Sequence, residues 1–221
     1  MKWFRRNESR PPTARPDPAE LAVRFWHGWY DLLPEVAAAL GDREPQRVEN
    51  QLCDLVAGLH PELHFALERG QRAIFALVVS GQEDPRLRRY TDAWRAAAPN
   101  EDAIWEYHDS VPPVPDPTLV TVNLGAHRIP FADIRVVAQV DEAAGVVDVA
   151  VHHPKMAELD EAARNAMTYL PLDAALGERL AAERLRRVET AETEPDHTIG
   201  LIELRTLVRE LAGSEIVGGV D

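Results

Sequence analysis

The residues able to do chemistry are few, and their spacing limits what they could do. Among eight histidines, His60 and His64 stand four apart, the separation of two zinc ligands on one helical turn. Pro61 and the alternating pattern after it break that geometry. His152 and His153 close an alternating apolar segment, where neighbouring side chains point to opposite faces, so one of them at most could serve a given site. The serines are Ser9, Ser80, Ser110 and Ser214. Ser80 lies at the end of an apolar run before Gly81, but Val78 occupies the place where a nucleophile elbow has glycine. Cys53, the single cysteine, falls beside the apolar stripe of a helical segment and reads as packing. The 12 glycines form no phosphate-cradling loop. Glu158, Asp160 and Glu161 sit at a helix start, where they complement the dipole, and Glu101-Asp102 reads as loop charge. No catalytic residue, metal ligand set or cofactor is assigned.

The positive feature is aromatic. Phe25, Trp26, Trp29 and Tyr30 crowd one helical segment, and successive helical positions diverge by about 100°. Phe25 and Trp29 are expected to point inward, leaving Trp26 or Tyr30 partly exposed as a protein contact. Trp26 and Tyr30 are therefore the candidate binding residues, with another protein or a second copy of the chain as partner.

The segments that must position these groups follow from periodicity. Apolar residues at helical spacing predict a helix over 18–33, a further turn from Pro34 to Leu40, and a helix over 45–59. Strict alternation predicts a strand from Leu63, and the seven apolar residues 73–79 read as a strand buried on both faces. A helix is expected from Asp84-Pro85 to Pro99, then a short strand over 104–108, a stiff proline loop over 112–117, and a strand over 120–124. The runs 134–140 and 147–151 flank a five-residue connection ending in Gly145, a hairpin signal. Helix is predicted over 157–170, stopping before Pro171, and again to Leu176; residues 180–191 stay open between helix, which their composition favours, and a strand near 182–190, and a last helix is expected over 199–211.

Charge excludes some function classes. The formal charge is -13, yet residues 1–16 carry Lys2, Arg5, Arg6, Arg10 and Arg15 against Glu8 alone. The acidic remainder repels phosphate backbones, which argues against nucleic-acid binding. No apolar run approaches the roughly 20 residues needed to span a bilayer. The cations and aromatics of residues 2–6 could touch an anionic membrane surface, but a disordered basic leader is the simpler reading of 1–17. A flexible tail is expected over 213–221, and a cytoplasmic location is expected for want of an export signal.

Several short segments are word-like: His60-Pro61-Glu62-Leu63-His64-Phe65, Val78-Val79-Ser80-Gly81, Ala98-Pro99 ahead of Trp105, Val111-Pro112-Pro113, and Leu172-Asp173-Ala174-Ala175-Leu176-Gly177-Glu178. In these the chain resembles a loosely defined family of small bacterial α+β proteins of no assigned function, over about residues 20–190. The resemblance implies a mainly antiparallel sheet with a strand after the Leu-Gly-Glu turn, and brings no catalytic residue. The expectation is a single α+β domain over 18–212, with a mainly antiparallel sheet of about six or seven strands and helices packed on one face. The expected function is a non-catalytic protein-interaction or accessory module. The alternative is a small hydrolase or metal-dependent enzyme using His64, His108, His152 or His153 with a nearby Asp.

Overall fold

The computed structural model describes residues 16–125 and 127–218. The chain is α+β and divides into two compact units that interleave in sequence. One holds residues up to Leu63 together with Arg86–Asn100, the other His64–Pro85 and everything from Glu101 onward.

The first unit is helical. Helix α1 (Pro18–Gly41) begins with Asp17 accepting the Ala19 N–H at 3.2 Å and with proline in its first turn, where the missing N–H costs nothing. The expected break at Pro34 does not occur, because Trp29 before it and Val36 and Ala39 after it are buried on one continuous helix. A tight turn at Pro45–Val48 leads into α2 (Glu49–Leu59), which buries Leu52, Val56 and Leu59; α3 (Arg88–Ala96) buries Tyr90, Thr91 and Trp94. Trp26 is 4 % exposed, so it offers no surface for a partner. Its ring stacks on Trp94 with centroids 4.9 Å apart, and its Nε1 donates to the Trp94 carbonyl at 2.8 Å. Phe25 meets both indoles edge-on. Helix α1 buries a wider arc than one stripe because α2 and α3 both pack on it, and Trp26 falls within that arc. Cys53, expected in the packing, lies on the exposed side of α2.

The second unit carries three small sheets, in place of the one expected sheet of six or seven strands. In the first, β1 (His64–Arg69) pairs antiparallel with β2 (Phe75–Ser80), which pairs parallel with β3 (Trp105–His108). Among the described residues, strands β4 (Thr121–Leu124) and β5 (His127–Pro130) pair only with each other. In the third, β6 (Arg135–Asp141) and β7 (Val146–His152) form the expected hairpin, with Gly145 at φ +66°, and β8 (Leu185–Thr190) adds parallel to β7. The alternating pattern predicts strands but not partners. Both parallel pairs arise where a long, helix-bearing stretch separates two strands, since only such a crossover can bring them into parallel register.

Helix α4 (Glu161–Leu176) is capped by Asp160, which accepts the Ala163 N–H at 2.8 Å. It runs through Pro171, whose ring is buried with Leu172, Ala175 and Leu176. Helices α5 (Glu178–Arg184) and α6 (Leu201–Gly218) complete the unit. Ile134, Val136, Val149, Met167, Leu172, Leu204 and Val208 meet in its core. Among the described residues, no helix is long and apolar enough to cross a membrane.

A buried charge holds the first sheet together. Glu106, 1 % exposed, receives the successive N–H groups of Gln71, Arg72 and Ala73 at 2.7, 2.8 and 3.0 Å, and His108 Nε2 lies 3.0 Å from it. Burial alone would raise its pKa; these donors outweigh burial and bring it from the ordinary 4.5 to about 2. A depressed carboxyl stabilises the fold above its unfolded pKa and loses that contribution as pH falls through the folded value. The shift corresponds to about 3 kcal/mol. Urea titrations should therefore find Glu106→Gln less stable than the parent by up to that amount at pH 6, with the gap closing between pH 5 and pH 2. A gap independent of pH would show that the charge contributes nothing. In the helical unit, Trp26→Ala should lower the unfolding free energy by about 3–5 kcal/mol, read by the same titration at neutral pH.

Candidate functional site

Strands β2 and β3 run parallel, with His108 at the end of β3 opposite Val78, two residues before β2 ends at Ser80. A recess of about 460 Å³ lies at the Ser80 end. On its floor are His64 and Ala66 of β1, which pair directly with Ser80 and Val78 of β2 and share one sheet face with them. Phe65, Val111, Gln82, Glu83, Asp173 and Glu178 complete its lining.

Gly177 and Glu178 build the wall. Gly177 ends α4 at φ +75°, and a Cβ there would stand 2.7–2.9 Å from Pro113 and the Val111 carbonyl. Only glycine accepts both the conformation and the approach. The turn brings Glu178 against the 111 loop, where its N–H donates to Val111 O at 2.9 Å and its Oε2 accepts the Val111 N–H at 2.9 Å. The same carboxylate accepts the Ser80 hydroxyl at 2.7–2.8 Å and the Glu83 N–H at 3.2 Å. Ser80 Oγ in turn accepts the Gln82 N–H at 2.9 Å. These bonds hold Gln82 and Glu83 in left-handed conformations, φ +48° and +68°, that cost a side-chain-bearing residue about 1–2 kcal/mol each.

Asp173 stands one helical turn before Gly177. Crowding by neighbouring atoms, followed by the charges of Glu83 and Glu178, pushes its carboxyl up to about 6, although water still reaches the residue. The side chains of Glu83 and Asp173 form no hydrogen bond or ion pair among the described residues. The recess thus combines a mainly apolar floor, one carboxylate hydrogen-bonded to three neutral donors, and two carboxylates without counterions. Such a site suits a cation whose stem is apolar. The Ser80 hydroxyl donates to Glu178 and accepts the Gln82 N–H, and so ties the end of β2 to the start of α5.

Of the histidines considered from sequence, only His64 reaches the recess. His108 rests on Glu106, His152 Nδ1 lies 2.9 Å from the Ala191 carbonyl, and buried His153 accepts the Lys155 N–H at 3.1 Å. Burial, the largest influence on His153, lowers its pKa. His60 lies on the Tyr90 ring. Among the described residues, no group of three or more His, Cys, Asp or Glu is placed to hold a metal ion. Tyr30 is 54 % exposed on α1, whereas Trp26 is buried, so the two candidate binding residues do not form one surface. Residues 2–6 lie outside the described residues, as does most of the leader.

The recess residues escaped sequence reasoning as a group, since they come from positions 64–66, 78–83, 111 and 173–178. One signal was present: four of the five word-like segments supply lining residues. The clamp predicts that Gly177→Ala costs at least about 1–2 kcal/mol and speeds hydrogen exchange at the Glu83 and Val111 amides. Unchanged exchange there would remove Gly177 from the construction of the wall. No family model, curated protein or solved structure matches this chain.

Proposed function

We propose that this protein is a non-catalytic recognition module whose recess between β1, β2, the 111 loop and the start of α5 takes a cationic side chain of a partner protein. The observation that carries this reading is the pair of carboxylates, Glu83 and Asp173, that face an apolar floor without counterions. Crowding and the neighbouring charges of Glu83 and Glu178 disfavour the Asp173 carboxylate, and a bound ammonium or guanidinium relieves that cost. Arginine and lysine fit such a place because their stems pack on apolar surface while the charged head meets the acids. The acidity of the whole chain draws a basic partner toward the recess and disfavours nucleic acid.

The test is a calorimetric titration with N-acetylarginine amide, using N-acetylglutamate amide as the control of opposite charge. Asp173 must lose its proton to attract the cation, and its carboxyl titrates near 6. Affinity should therefore rise about tenfold from pH 5 to pH 7.5, with protons released on binding at the lower pH. Asp173→Asn should abolish that dependence. Equal binding of the two amides, or none by the arginine compound at either pH, would refute the reading.

A further inference from the structure

We infer that the partner enters as an extended peptide that adds a strand to the free edge of β1 and lays an arginine or lysine side chain from that strand into the recess. This inference rests on the reading of the recess given above and adds the form in which the cation arrives.

Strand β1 is the outer strand of its sheet. One of its edges pairs with β2, and no backbone hydrogen bond reaches the other from any described residue. None of its six side chains is buried. Unpaired edges invite another chain, and natural sheets usually guard them with proline, a bulge or inward-pointing charge. Neither proline nor a bulge occurs in β1: its register with β2 is unbroken from His64 to Arg69, and its two charged residues, Glu68 and Arg69, stand at the end away from the recess. Among the described residues, the outer edge of His64 to Leu67 has no backbone partner.

The edge and the recess meet in the same residues. His64 and Ala66 lie on the recess floor, on the same face as Ser80 and Val78. A strand added to β1 would run about 4.8 Å beyond it and present every second side chain on that face. From there a side chain must cross β1 to reach Asp173 and Glu83, which selects a long one with an apolar stem and a positive end. Main-chain bonds to β1 would supply affinity and register, and the acids would supply the choice of residue.

The experiment titrates the full chain with a capped Thr-Val-Arg-Val-Thr pentapeptide, with the same peptide N-methylated at both valines and the arginine, and with N-acetylarginine amide. Hydrogen exchange at the β1 amides is followed in parallel. Strand addition predicts that the pentapeptide binds at least tenfold more tightly than the amide, that N-methylation removes this gain, and that exchange slows within residues 64–67. If the amide binds and the pentapeptide gains nothing over it, strand addition is wrong and the recess reading survives. If neither binds, both fall. A concentration-dependent dimer in sedimentation that the pentapeptide does not disperse would assign the edge to a second copy and overturn the inference.

Discussion

The larger unit depends on one carboxylate, Glu178. Its two oxygens collect a hydroxyl from the end of β2, an N–H from the turn after it, and an N–H from the 111 loop. Two segments far apart in sequence, residues 80–83 and the 111 loop, are thereby fixed to the first residue of α5. Charge-assisted bonds of this kind are the stronger class of hydrogen bond. They hold best when the acceptor is itself immobile, and Gly177 provides that immobility by turning the chain against Pro113. Arg205 reinforces the neighbourhood, donating to the carbonyls of Val114, Pro115 and Ala175 at 2.6–2.8 Å. The strained turn at Gln82 and Glu83 survives because so much surrounding structure is anchored to the same group.

Glu106 is the counterpart of Glu178 at the opposite end of β2. There the chain enters β2 through a turn whose successive N–H groups converge on the carboxylate; at Ser80 it leaves through a turn bonded to Glu178. A short parallel pair has few ladder bonds of its own, and these two anions gather the turns that flank it. The division of labour matters for the recess. Glu178 gives its hydrogen bonds to the framework while its charge still acts on Asp173, so the recess keeps a negative field around Glu83 and Asp173.

Much of the fold was legible in local pattern, and the exceptions have identifiable causes. The β6–β7 hairpin could be read because alternation and a terminal glycine act within a few residues, whereas β8 carries no alternation and its composition favours helix. Strand β5 could not, since His127, Arg128 and Pro130 leave only Ile129 as an apolar marker. Pro34 and Pro171 looked like helix ends, but each lies in a helix whose two halves bury side chains. Trp26 was misplaced because a helix with two helical neighbours hides a broader arc than its most apolar stripe. The recess was the least legible feature. Asp173 reads as one more helical acid and Glu178 as a favourable helix-start charge, and only the closure of the chain sets them beside Ser80 and Glu83.

The order in which the chain visits its two units has a consequence for dissecting it. Residues 86–100 leave the sheet-bearing unit between β2 and β3, contribute Trp94 to the helical one, and return. No single cleavage can separate the units, because a fragment ending at residue 63 leaves behind the indole on which Trp26 stacks, and a fragment beginning at 64 keeps an orphaned helix. Folding inherits the same entanglement. The parallel β2–β3 register closes a loop that contains a piece of another core, so the entropy of that closure is shared between the two units.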